Sequence, residues 1–276
     1  MYLFFFVGMN LLVQDIVDIL ERFAPTALAE SWDNVGLLAG DPGAVVNGVL
    51  VSLDPLTPLV EEARKLGANL IVTHHPTIFR PISALRTDQP TGAFLARAIR
   101  HSINVIGWHT NLDAAEQGVN EVLARQLGLT DTSPLIPEPS GQFPGCGLGR
   151  IGTCAPPWSP EECIDRLHAA CSPPWLLEAG PRPDKVTTVA LCGGSGSEFA
   201  EQALAAGADL YISAEIKHSV ARWAEEAGLW IIDCGHFASE QVIVEPLRTM
   251  LEEALRAQQS DMRVHVASQR PPLTLI

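Results

Sequence analysis

The chain has 276 residues, 47% of them hydrophobic, and a formal net charge of −14. That length allows two small domains or one large one with a sizeable core. The acidic balance argues against a broad basic face for DNA or RNA, and it leaves room for cations.

The first residues, MYLFFFVGMN, form an apolar run too short to span a bilayer. The run lacks the basic start and the small-residue cleavage site of a signal peptide. Met9 offers an alternative start, with residues 1–8 as an upstream extension. Residues 11–23 carry apolar positions at helical spacing. A loop with Trp32, Asp33, Asn34 and Gly36 follows. Residues 48–53 (GVLVSL) read as a buried strand, and 58–67 as a helix with Pro58 near its start and Gly67 at its end. Residues 68–75 (ANLIVTHH) form the next strand, 91–102 a helix and 103–110 (INVIGWHT) a strand. Such alternation implies a parallel sheet covered by helices. Residues 131–183 hold 11 of the 21 prolines and a helix at 160–171. They read as a linker or the loop-rich part of a second domain. A closing amphipathic helix, not a membrane anchor, is expected at 247–259.

The chain repeats itself. Residues 49–75 fall without a gap on 189–215 at a shift of 140, so that Gly67-Ala68-Asn69-Leu70 meets Gly207-Ala208-Asp209-Leu210 and His75 meets Glu215. Residues 103–113 fall on 230–240 at a shift of 127, which aligns His109-x-x-x-Asp113 with His236-x-x-x-Glu240. We infer two related α/β halves. The fold class is α/β: two interlinked, internally duplicated domains with mostly parallel sheets and the site at the C-terminal ends of the strands. We divide them as 9–130 plus 233–276 and 131–232.

Polar residues cluster at the ends of the predicted parallel strands, where open α/β sheets bind ligands. His74 and His75 follow one strand, His109 and Asp113 the next, and His236 and Glu240 its counterpart. A histidine and an acid four apart share one face if a helix starts there. Imidazole with carboxylate suits zinc, iron, manganese or cobalt. Adjacent histidines in an extended chain diverge. His74 and His75 can therefore each take its own metal while Asp113 or Glu240 bridges, a pair able to activate water.

The stretches AESWDNVGLLAGDP (29–42), VTHHPTIF (72–79), HTNLDAAEQGVN (109–120), GLGRIG (147–152), LCGGSGSEF (191–199) and DCGHFASEQ (233–241) carry a resemblance. The chain resembles the NIF-three-like dinuclear-metal proteins, commonly named GTP cyclohydrolase I type two. The resemblance implies ligands at His74, His75, Asp113, His236 and Glu240, with His109 as a polar neighbour. It also implies two divalent ions per chain (zinc, iron or manganese) and a ring-shaped homohexamer whose sites face an inner cavity. Relatives often show Thr-Gly-acid and an aromatic or histidine before the last histidine of the segment that reads ISAEIKHSV here, where Ala214 and Lys217 stand instead. Glu215 and His218 match and join His109 as candidate acid–base groups.

Weaker signals have two readings each. Trp32-Asp33-Asn34 reads as a site rim or as a helix-ending turn with a buried tryptophan. GGSGS (193–197) reads as an anion-binding loop or as a plain tight turn. GLGRIG reads as the start of a strand, and His101, His168 and His265, in predicted helices or the tail, as structural. The six cysteines (146, 154, 163, 171, 192, 234) form no C-x-x-C pair and read as reduced, small hydrophobes of a cytoplasmic protein. The expected function is a dinuclear metal-dependent hydrolase acting on a small molecule such as a nucleotide, without nucleic-acid or membrane partners. GTP cyclohydrolase-type activity is implied by the resemblance alone. The alternative is a non-catalytic protein that stores, delivers or senses metal, or a ring-shaped scaffold.

Overall fold

The computed structural model describes residues 11–276, so the expected extension at 1–8 lies outside the described residues. In chain order the elements are α1 (Val13–Phe23), β1 (Gly36–Ala39), β2 (Val49–Ser52), α2 (Pro58–Leu66), β3 (Leu70–Thr73), α3 (Pro90–Arg100), β4 (Asn104–Gly107), α4 (Thr110–Ala114) and α5 (Val119–Leu127). Then come β5 (Thr130–Ser133), β6 (Ile136–Pro137), β7 (Gly147–Leu148), β8 (Arg150–Trp158), α6 (Pro160–Cys171), β9 (Leu177–Ala179), β10 (Val186–Ser195), α7 (Ala200–Ala205) and β11 (Leu210–Ala214). The chain ends with α8 (His218–Ala227), β12 (Trp230–Asp233), α9 (His236–Gln241), α10 (Val244–Ala257) and β13 (Val264–Val266).

The chain divides into two units. Among the described residues the first comprises 11–109 together with Val244–Gln269, and the second comprises Thr110–Ile243 with Arg270–Ile276. Residues 110–130 and 233–243, grouped with the first domain on sequence grounds, thus pack with the second unit.

The first unit holds a five-stranded sheet of order β1-β4-β3-β2-β13. Its pairings are parallel except β1 with β4. Leu50, Ile71 and Val105 point to one face and pack under Leu59, Val60 and Ala63 of α2 and Phe94, Leu95 and Ala98 of α3. Pro58 pre-sets the first turn of α2, and Gly67, at φ 72°, closes it in the left-handed region. Two edge strands, β1 and β13, lie outside the strands that the sequence pattern predicts. β1 falls in what read as loop, and β13 carries His265, which is therefore neither helical nor in an irregular tail. Both are short edge strands and only partly buried, unlike the fully buried β2, β3 and β4.

The second unit holds a six-stranded sheet of order β5-β8-β10-β11-β12-β9. Its centre, β10-β11-β12, is parallel, and the flanking strands are antiparallel. Side chains alternate across it. Val189, Leu191, Leu210, Ile212, Trp230 and Ile232 share one core with α5 and α6 residues, while Ala190, Cys192, Tyr211 and Ile231 face the other with Ala200, Ala203 and Ala224. All six cysteines are free thiols, and four are buried. Burial pushes the Cys154 thiol up to about 12 and the Cys163 thiol up to about 11.

The duplication is visible in the sheet registers. Val49 pairs with Leu70 and Leu50 with Ile71, as Val189 pairs with Leu210 and Ala190 with Tyr211. The following strand departs from the alignment made on sequence. Leu70 pairs with Asn104 and Leu210 with Trp230, so these strands are related by a shift of 126 residues (230 − 104), one fewer than the histidines suggest.

Arg150 is 1% exposed in the second unit. Its guanidinium donates to Glu121 Oε2 at 3.0 Å and to the carbonyls of Gly147, Gly149 and Ala115 at 2.9, 2.8 and 2.9 Å. Arg150→Met strands these acceptors, and we expect a loss of roughly 3 kcal/mol of stability. Urea unfolding followed by circular dichroism measures it, and an unchanged midpoint rejects the assignment.

Candidate metal centre

In the first unit the parallel registers run past the last formal strand residues. The His74 and His75 amides donate to the carbonyls of Ser52 and Leu53 at 3.1 and 2.9 Å, which sets Asp54 beside His75. Its carboxylate lies 2.8 Å from His75 Nδ1. His74, fully buried, turns its Nδ1 to the Trp108 carbonyl at 3.1 Å. A carbonyl only accepts, so this nitrogen carries the proton and Nε2 the lone pair. His109 follows β4, and the antiparallel β1 brings the residues before Gly36 alongside it. The buried Asp33 carboxylate is 2.9 Å from His109 Nδ1. One ring nitrogen from each of His74, His75 and His109 falls within 4.8 Å of the others. Their ring centroids are 5.0–5.6 Å apart.

The second unit positions the other candidates. His236 opens α9, and its Nε2 lies 2.9 Å from Glu240 Oε2, one turn on. Its Nδ1 lies 2.9 Å from Glu215 Oε1. Two donors on one cation sit roughly 3 Å apart, so the His236–Glu240 spacing suits a shared ion. Glu240 is buried, and Gly194, at φ 67°, makes room for it: a Cβ there would stand 2.0 Å from Glu240 Oε1. Asp113 lies in α4, whose following turn is held by Asn120 Nδ2 donating to the Asp113 carbonyl at 3.0 Å. Asp113 and Glu240 both face Cys192; burial pushes that thiol well up, and the two carboxylates add to the rise.

Several expectations change. His109 lies one residue before α4, whereas His236 is the first residue of α9. His109 and Asp113 therefore do not form an i,i+4 pair on one helix; only His236 and Glu240 do. Trp32 is 56% exposed, which removes the reading as a buried tryptophan. The GGSGS amides are engaged: Gly193 donates to Asn120 Oδ1 at 2.8 Å, Gly194 to Ser239 Oγ at 2.9 Å and Gly196 to Ser213 Oγ at 3.1 Å. The segment completes β10 and gives no cradle for an anion. Glu215, at φ 55°, is tied to His236. His218 is the first residue of α8 and is exposed. Asp54 is an anchor that the sequence motifs do not single out; its signal is its place two residues past β2, level with His75 two residues past β3. His101 caps α3, and His168 lies in α6.

The donor set fits divalent transition metals. Imidazoles held at Nδ1 by carboxylates or a carbonyl present Nε2 outward in one tautomer. The sequence profile of the Duf34/NIF3 (NGG1p interacting factor 3) family matches residues 11–272. The chain belongs to this family. A Streptomyces coelicolor relative, named GTP cyclohydrolase 1 type 2 homolog, is 34% identical over 260 residues, covering 92% of this chain and 90% of the relative. A Clostridium acetobutylicum protein of the same name is 32% identical over 247 residues, covering 90% and 92%. The crystal structure of a hypothetical protein from Staphylococcus aureus superposes with a TM-score of 0.89 at 30% identity, covering 97% of this chain and all of that one. A Bacillus cereus protein related to NIF3 shares the fold, with a TM-score of 0.91 at 24% identity, covering 97% and 99%. Among the described residues no helix is long and apolar enough to cross a membrane.

Gly194→Ala should displace the Glu240 carboxylate. We expect a loss of about 1–3 kcal/mol in stability and weaker metal retention. Gly207→Ala is the control, since Gly207 shares the positive φ, at 84°, with nothing within 4 Å of its Cβ position. Thermal unfolding and elemental analysis compare the two. Equal behaviour rejects close packing at Gly194.

Proposed function

We propose that the protein is a dinuclear metal-dependent hydrolase acting on a nucleotide or a related small molecule. The observation that carries this reading is the convergence of His74, His75 and His109, each held through Nδ1. Family membership and the names of the relatives support it.

On this reading His74, His75, Asp113, His236 and Glu240 hold the metal ions. When bound, such ions make water acidic enough to supply a nucleophile and polarise the oxygen of a carbonyl or phosphoryl group. Asp54 and Glu215 orient His75 and His236, the latter in place of the acid–base role suggested by the sequence. Asp33 fixes His109 so that its Nε2 faces the cluster, where it holds or delivers a proton. His218, exposed at the start of α8, is the second candidate for proton exchange. The reading also takes the protein as a cytoplasmic homohexamer, which a single-chain mass by light scattering would reject.

A second reading, metal storage or delivery without turnover, draws on the accessibility of the Glu215 side chain beside His236, 59% exposed. One experiment separates the two. Wild-type protein and Asp113→Ala are analysed for metal content and assayed on GTP, GMP and a panel of phosphoesters with manganese, zinc or iron. Hydrolysis predicts about two metals per wild-type chain, with turnover lost on chelation and at least 100-fold lower in the variant. Bound metal without turnover on the panel favours metal handling, and no metal after reconstitution rejects both.

A further inference from the structure

An unusual group of rings lies beside the histidine cluster in the first unit. Trp32 is 56% and Phe79 42% exposed, yet their centroids are 5.6 Å apart. His109 lies 6.2 Å from Trp32 and 6.1 Å from Phe79. The three interplanar angles, 62°, 72° and 75°, are all edge-to-face. Trp32 keeps more than half of its surface exposed despite these contacts, so area of its indole remains for a further ring. The loop is not loose, because Asn34 Nδ2 donates to the Ile78 carbonyl and ties the Trp32 turn to the Phe79 segment.

Two features narrow what would lie there. The Arg80 guanidinium sits 5.8 Å from the Phe79 centroid. A cleft of about 430 Å³ runs from this point between Pro55–Thr57, which follow the His75 anchor Asp54, and Pro76–Arg80 with Ile82, which follow His75 itself, and it is closed by Pro90 and Thr91. Arg80 is the one charged residue among the described residues lining it. Scattered exposed aromatics need no explanation, but a contiguous aromatic rim beside a polar cluster marks a binding surface. An apolar chain would use the cleft but not the cation, and an inorganic anion the cation but not the rings.

We propose that Trp32, Phe79 and Arg80 form a recognition platform for a substrate that joins a planar heteroaromatic ring to an anionic group. The ring lies on the exposed indole, the anion meets the guanidinium, and the bond to be attacked is presented to the His74–His75–His109 side. The proposal rests on the reading of that cluster as the reacting centre, and it deepens that reading by assigning substrate choice to residues outside the ligand set.

The test measures binding by calorimetry on the full chain, both metal-loaded and after chelation. The probes are GMP, guanosine (ring without anion) and ribose 5-phosphate (anion without nucleobase). Trp32→Ala should weaken GMP and guanosine by roughly tenfold or more while leaving ribose 5-phosphate nearly unchanged. Trp32→Phe should restore most of the loss, and Arg80→Gln should weaken GMP but not guanosine. All three positions are exposed, so the variants should fold. This pattern in chelated protein supports the platform even if no turnover is found, a result that rejects the hydrolase alone. Turnover lost on chelation, with GMP affinity unchanged in Trp32→Ala, keeps the hydrolase and overturns the platform. Failure of wild type to bind any probe in either state overturns it too. So does a Trp32→Ala change in assembly mass without a change in binding, which would make the rim a contact between copies.

Discussion

A histidine binds a cation through Nε2 in a fixed direction only when something holds its Nδ1 proton. In this protein that constraint reaches from the candidate centre back into the sheets. The Trp108 carbonyl holds His74, Asp54 holds His75 and Asp33 holds His109. None of these partners adjoins its histidine in the chain. β2 and β4 end at the same level and deliver Asp54 and Trp108, while the antiparallel β1 begins there and draws Asp33 to His109. The flush ends of the parallel strands, with the antiparallel edge strand beside them, therefore do the aiming.

The second unit solves a related problem with a helix. His236 and Glu240 lie one turn apart on α9 and meet at 2.9 Å, so a single short helix supplies both candidate donors. Their place depends on what they pack against. Gly194 leaves the volume that Glu240 needs, and Ser239, between them, accepts the Gly194 amide while donating to the His236 carbonyl. The glycine-rich stretch thus serves close approach of a carboxylate instead of anion binding. An amide already bonded to a side chain of its own fold has no proton left to direct at a phosphate.

The platform of Trp32, Phe79 and Arg80 has a different physical character. The histidine cluster is polar, inward-facing and aimed by hydrogen bonds, whereas the rim is apolar and exposed, its rings meeting by their edges. On the proposed function, a division of this kind would let one set of residues act on the reacting atoms while another selects the molecule that carries them.

The amino-acid sequence by itself determined the α/β class, the two related halves and the polar residues at strand ends. Alternating strand and helix patterns and a gapless repeat are local properties, written in consecutive residues. The shared register of Val49 with Leu70 and Val189 with Leu210 was foreshadowed by that repeat. Edge strands β1 and β13 were not legible, because three or four half-buried residues carry too little periodicity. Nor was the one-residue slip that makes His236 the first residue of its helix while His109 stays outside α4, since matching letters cannot fix where hydrogen bonding begins. The anchors Asp33 and Asp54, the engaged glycine amides and the exposed face of Trp32 were decided only by the tertiary structure. Each depends on which distant segment lies alongside, and that is set by strand pairing across the sheet and not by neighbours in the chain.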